Sequence, residues 1–172
     1  MNTRRLFYAL WPGHRQRDRM RDFITPVAKL VEGRMIDRRN WHITLAYIGD
    51  FPENRIAELV EAKKAAAFEP FRLRFDRLEF WPRPRIAALV PPNVPAALES
   101  LVDDLKGRIF AAGVNPEHHR VYRPHITVVR NGRPFETQRL AQALITEWEG
   151  FDLVESVTEH GETTYRPLDN EF

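Results

Sequence analysis

Trp41-His42-Ile43-Thr44-Leu45-Ala46-Tyr47-Ile48-Gly49 and Arg123-Pro124-His125-Ile126-Thr127-Val128-Val129-Arg130 share one core, His-Ile-Thr followed by an apolar residue. In an extended strand residues i and i+2 point to one face, so His42 and Thr44 stand together while Ile43 and Leu45 pack on the other side. His125 with Thr127, and Ile126 with Val128, repeat the arrangement. A single His-x-Thr triplet says little, because six histidines and nine threonines give roughly 0.3 of them by chance. Two on similar strands, one in each half of the chain, indicate a duplication.

The flanking sequence supports that reading. Residues 4–11 read as a strand, and Pro12-Gly13 opens a helix whose apolar positions Met20, Phe23, Ile24, Val27, Leu30 and Val31 run toward Gly33. The run Trp41 to Ile48 is bounded by Gly49-Asp50, and a helix carrying Ile56, Leu59 and Val60 follows Pro52. Phe71, Leu73 and Phe75 alternate on odd positions and Leu78 and Phe80 on even ones, which predicts a bulge near Asp76-Arg77. Ile86 to Val90 is a compact buried-strand run, and a helix with Leu98, Leu101, Val102, Leu105 and Ile109 closes at Gly113.

Each motif therefore follows a strand and one amphipathic helix, and Gly49 and Gly132 each stand seven residues beyond a motif histidine. The period of 135–146 is ambiguous. Trp148 to Val157 and Thr163 to Pro167, around His160-Gly161, read as strands returning to a sheet. No Pro/Ser/Gly-rich linker interrupts the chain, so a single two-lobed unit over 1–172 is expected.

Composition removes several function classes. With 172 residues, 43% hydrophobic and 29% charged, the chain has a globular profile. The absence of cysteine rules out disulfides, thiolate catalysis and thiolate metal sites, and agrees with a cytoplasmic setting. The apolar opening stretch Leu6 to Trp11 is too short for a secretory segment or a membrane span. A formal net charge of +2 permits a polyanionic partner without demanding one.

If the two halves face each other, two imidazoles and two hydroxyls converge on one small site. Histidine can act near neutral pH as either base or acid, so opposed imidazoles suit a phosphoryl displacement: one deprotonates water, the other protonates the leaving oxygen. Threonine hydroxyls can hydrogen-bond the non-bridging oxygens as charge builds.

These residues resemble the 2H phosphoesterases, a family defined by two His-x-Thr/Ser motifs in a duplicated fold, and most of all its RNA 2′,3′-cyclic phosphodiesterase branch, also called 2′-5′ RNA ligases. The resemblance covers Arg5-Leu6-Phe7-Tyr8-Ala9-Leu10, both motif blocks and Thr163-Thr164-Tyr165-Arg166-Pro167-Leu168. It implies an α+β fold of two pseudo-twofold lobes, each an antiparallel sheet with helices outside and a motif strand lining a central cleft. It makes His42 the proton donor to the departing 3′ oxygen and His125 the acceptor that activates water, with Thr44 and Thr127 binding phosphate. The implied substrate is RNA ending in a 2′,3′-cyclic phosphate, or a related cyclic nucleotide. The implied product is a 2′-phosphate, with 2′-5′ ligation as the reverse reaction. No metal, cofactor, membrane or obligate protein partner is implied, and a monomer is expected. Two alternatives stay open: another cyclic nucleotide or 2′-5′ oligonucleotide as substrate, and a module that binds RNA ends without catalysis.

Other residues are weighed against blander roles. Arg130 follows the second motif where this branch often carries a basic residue, and its guanidinium there would bind the phosphate by offsetting its charge, yet strict parity puts it on the face opposite His125, reaching the site only if the strand twists or ends there. Glu117, His118 and His119 lack the usual spacing of metal ligands and read as an exposed loop, as His14 and His160 read as surface. Trp11, Trp41, Trp81, Tyr122 and Tyr165 could stack on a nucleobase, though aromatics at strand spacing more often fill a core. The arginine pairs at 15 and 17 and at 83 and 85 could steer RNA or merely face water.

Overall fold

A computed structural model describes residues 1–116 and 121–168. The elements run β1 (Thr3–Leu10), α1 (His14–Ala28), β2 (Arg34–Met35), β3 (Ile43–Pro52), α2 (Ile56–Ala65), β4 (Phe71–Trp81) and β5 (Ile86–Val90). They continue α3 (Ala96–Ala111), β6 (Ile126–Arg130), β7 (Gln138–Trp148), β8 (Asp152–Glu159) and β9 (Glu162–Pro167). Among the described residues no helix is long and apolar enough to cross a membrane.

The strands form two antiparallel sheets, ordered β3-β1-β8-β9 and β2-β6-β5-β4-β7. Setting β2 aside, the two orders match: motif strand, apolar central strand, then two outer strands. The central strands are buried on both faces, which is why Leu6-Phe7-Tyr8-Ala9-Leu10 and Ile86-Ala87-Ala88-Leu89-Val90 read as unbroken apolar runs. Leu6, Tyr8, Leu10, Ala87 and Leu89 join the main core, whereas Phe7 and Ala9, and Ile86, Ala88 and Val90, form separate small clusters on the opposite faces.

The halves are interlaced. Helix α1, which follows β1, packs on β6 and β7 of the other sheet, and the Gln16 side chain holds both the N–H and the C=O of Glu147 at 2.8 and 3.1 Å. Helices α2 and α3 pack on each other and on β8 and β3. The tail strands β8 and β9 complete the sheet begun by β1, where buried Glu155 accepts two hydrogen bonds from Arg4 and one from Arg166.

Several sequence expectations need adjusting. Helix α1 ends at Ala28 rather than running to Gly33: Pro26 lacks the N–H for the helical ladder, and the helix closes two residues later. Gly33 instead lies against β6, where a Cβ would collide with Val129 and the Arg130 carbonyl, and its φ of 140° is one that side chains avoid. The ambiguous segment at 135–146 is mostly strand β7. Phe75 and Leu78 both reach the core across a register shift between Phe75 and Arg77, the bulge that the alternation predicts. The trailing glycines do not correspond: Gly49 is left-handed (φ 86°), but in the second half the left-handed residue is Asn131 (φ 51°), ahead of Gly132.

Candidate active site

Each histidine sits one residue before its strand and each threonine one residue inside it, β3 starting at Ile43 and β6 at Ile126. Thr44 pairs with Ala9 and Thr127 with Ala88, so in both lobes the hydroxyl stands opposite the smallest side chain of the central strand's minor-cluster face. A register shift follows at once, with Leu45 extra between Thr44 and Ala46, and Val128 extra between Thr127 and Val129.

That second bulge decides where Arg130 points. Because Val129 pairs with Ala87 and Arg130 with Ile86, Arg130 shares the face of Ile86, Ala88 and Thr127. The parity argument against it fails for this reason: one extra residue reverses the alternation. In the first lobe Tyr47 holds the corresponding place, three residues after Thr44 and opposite Phe7.

The two imidazoles are held alike. His42 Nδ1 lies 2.7 Å from the Asn40 carbonyl oxygen and His125 Nδ1 lies 2.9 Å from that of Arg123, each two residues upstream. A carbonyl only accepts, so Nδ1–H is the donor in both rings and Nε2 is left for chemistry. His42 Nε2 is 3.2 Å from Thr44 Oγ1.

Each ring also rests on a tryptophan that carries an arginine. Trp11 stacks on His42 at 5.8 Å with the Arg17 guanidinium 5.1 Å from its centroid; Trp81 lies 4.3 Å from His125 with Arg123 at 4.7 Å. Phe7 and Tyr165 complete the surroundings of His42 at 5.1 and 5.0 Å. Arg17 hydrogen-bonds the carbonyls of Pro12, Arg38 and Trp41.

Burial is the main force on both titrations. It pushes His42 down to about 4 against the hydrogen bond to Asn40, and charges on His125, Arg130 and Arg17 lower it further. Burial likewise lowers His125, against the hydrogen bond to the Arg123 carbonyl, and the charges of Arg123 and Arg130 lower it further. Both imidazoles are thus neutral in the free site at neutral pH, and the Arg130 charge acts on each of them.

Beside His125 and Thr44 opens a cavity of about 1060 Å³, whose walls include Tyr47, Phe80, Trp81 and Tyr122, with Arg83 and Lys106 among the cations. The Tyr122 hydroxyl donates to the Thr44 carbonyl oxygen at 2.9 Å and so bridges the two motif segments. Of the aromatics offered above as base platforms, Trp11, Trp81 and Tyr165 pack on the histidines, and Trp41 is core. Tyr47, 57% exposed, is the aromatic that sequence reasoning missed; its only signal is its place three residues past Thr44, readable once the bulge is known.

Among the described residues no three histidine, aspartate or glutamate side chains cluster closely enough to hold a metal ion. Glu117, His118 and His119 lie outside the described residues.

Two lobes of matching strand order, each bringing a His-x-Thr unit to a shared cleft, define a class of two-histidine phosphoesterase folds. The crystal structure of Escherichia coli LigT in apo form superposes on 98% of this chain and 96% of its own, with a TM-score of 0.78 at 25% identity. A family model described as the 2′-5′ RNA ligase superfamily matches residues 15–158, and the chain belongs to that family. Among curated relatives, an RNA 2′,3′-cyclic phosphodiesterase of Aeropyrum pernix is 30% identical over 115 residues, 65% of this chain and 64% of its own length, so the match spans under two thirds of that relative. One of Escherichia coli K12, of the same description, is 26% identical over 145 residues, 79% of this chain and 77% of its own.

Proposed function

We propose that this chain hydrolyses 2′,3′-cyclic phosphate at RNA 3′ ends, leaving a 2′-phosphomonoester, by acid-base catalysis between His42 and His125. The observation that carries the reading is the pair of imidazoles, each with Nδ1–H tied to a backbone carbonyl and Nε2 left for the cleft. His125 Nε2 takes a proton from water as the water oxygen attacks phosphorus. The bond from phosphorus to the 3′ oxygen breaks, and His42, neutral in the free site and taking up a proton at Nε2 when the phosphate anion binds beside it, gives that proton to the oxygen. Thr44, Thr127 and Arg130 hold the non-bridging oxygens, whose negative charge grows in the transition state. The assignment of acid and base follows the family resemblance.

The same steps with a 5′-hydroxyl in place of water as the nucleophile, deprotonated by His125 while His42 protonates the departing 3′ oxygen, give a 2′-5′ linkage. As written, every proton is moved by a side chain, so the scheme calls for no metal. An apolar cavity with aromatic walls and cationic residues beside His125 and Thr44 suits an RNA end, since unpaired bases are gripped by stacking and phosphates by charge.

The test is an oligoribonucleotide ending in 2′,3′-cyclic phosphate, incubated with the protein and a chelator, with the terminal phosphomonoester identified. A 2′-phosphate is expected. A 3′-phosphate would overturn the regiochemistry, loss of turnover with chelator the metal-free scheme, and salt-dependent binding without hydrolysis the catalytic reading.

A further inference from the structure

The two histidine stacks are alike in form and differ in what anchors them. On the His42 side Arg17 is held over Trp11 by three backbone carbonyls. On the His125 side a carboxylate takes that place: Glu79 Oε2 accepts from Trp81 Nε1 at 2.9 Å and from Arg123 Nη2 at 2.6 Å.

Glu79 sits two residues before Trp81 on β4 and opposite Ala88, which in turn pairs with Thr127, so Glu79, Ala88 and Thr127 form one row across three strands. Its side chain is only 18% exposed. Burial alone would push its carboxyl up, but the hydrogen bonds from Trp81 and Arg123 and the charges of Arg123 and Arg77 outweigh it, keeping the carboxylate ionised.

The contacts close into a ring. Trp81 lies against His125, Arg123 covers Trp81, and the Arg123 carbonyl holds His125 Nδ1, while one oxygen of Glu79 joins the Trp81 indole to the Arg123 guanidinium. Arg123 thereby grips the imidazole from two sides, by its backbone directly and by its side chain through Trp81.

We propose that Glu79 is a positioning residue for His125: it locks Trp81 and Arg123 into the stack that sets the direction of the imidazole. This rests on the proposed function only for its kinetic effect; the orientation itself can be read without turnover. A misdirected base loses rate more than affinity, because proton transfer depends steeply on alignment while binding does not.

The experiment compares Glu79→Ala and Glu79→Gln by kinetics on a cyclic-phosphate oligoribonucleotide and by the ring-proton NMR resonances of both motif histidines. The aromatic ring current of Trp81 displaces the His125 signal. In Glu79→Ala that signal should move toward the position of a free histidine and kcat should fall ~10-fold with KM within ~2-fold. The His42 signal should stay in place, since its stack is anchored by Arg17. Glu79→Gln, whose amide oxygen still accepts from both donors, should restore the His125 signal and most of kcat. An unmoved His125 signal in Glu79→Ala, equal shifts of both histidines in Glu79→Ala, or a His125 signal displaced as far in Glu79→Gln as in Glu79→Ala would overturn the proposal. A wild-type protein that leaves cyclic phosphate intact would count against the proposed function and leave the NMR result standing.

Discussion

The Tyr122 hydroxyl donates to the Thr44 carbonyl oxygen across 2.9 Å, so the segment leading to the second histidine is fastened to the strand that carries the first. The bond lies between the motif blocks themselves, and burial raises the phenol's pKa well above its usual value, keeping the donor proton in place. Tyr122→Phe removes the donor and keeps the ring. The variant should lose about 1 kcal/mol in urea denaturation, the usual worth of such a bond. Turnover should fall as well, because the two histidines lose a direct tie; unchanged kcat would mean that the lobes hold their spacing without it.

Replacing either histidine tests the site most directly. His42→Ala and His125→Ala should each lower kcat by about 10²–10⁴-fold, with far-ultraviolet circular dichroism unchanged. The double variant should be little slower than the worse single one, because acid and base act in one step. Thr44→Ala and Thr127→Ala should cost about 10²–10³-fold or less. Full activity in either histidine variant would remove that residue from the mechanism.

The depressed histidines tie stability to pH. His42 titrates at about 4 in the fold against an ordinary value of 6.5, so between those limits the unfolded chain binds more protons. The stability this group contributes is present above pH ~6.5 and lost as pH falls toward 4. Urea midpoints measured from pH 7 down to 4.5 should therefore drop, and the drop should be smaller in His42→Phe. An identical pH slope in the two proteins would rule out this titration as the cause.

Arg130 lowers the proton affinity of both motif histidines. Arg130→Gln removes that charge, so the NMR titration midpoints of His42 and His125 should both move to higher pH. A shift confined to one histidine would mean that Arg130 does not sit between them. Under the proposed function the same variant should also turn over more slowly, having lost a cation that faces the phosphate.

Tyr47 and Arg130 occupy matching places three residues after the two threonines, one aromatic and one cationic. The proposed function gives them different tasks, base and phosphate. Tyr47→Ala should raise KM for an RNA end by roughly tenfold, the worth of about 1–3 kcal/mol of stacking at the low end, with kcat little changed. An unaffected KM would send the nucleobase elsewhere.

Much of this site can be read in the chain, and the exceptions have physical causes. The period of two puts His42 beside Thr44 and Ile126 in the core without any tertiary knowledge. The bulge at Val128 has no such trace, since two consecutive buried valines suit a straight strand as well, and so the direction of Arg130 is hidden. Local pattern also cannot say that α1 covers the opposite sheet or that β8 pairs with β1, because those choices depend on surfaces far apart in sequence. Trp11 and Trp81 stand out as aromatics, but their role beneath the histidines depends on Arg17, Glu79 and Arg123, each an ordinary surface charge when met in the linear text.

The interlaced strands carry a consequence for synthesis. Strand β1 leaves the ribosome well over a hundred residues ahead of its partner β8, and α1 must wait for β6 and β7 before its apolar stripe is covered. A nascent chain can pair β1 with β3 early, but His42 lacks the Tyr165 side of its enclosure until β9 has emerged. The cleft is therefore completed only after β9 has been made, and half of this molecule, made alone, would leave one of its two sheets open along an unpaired edge.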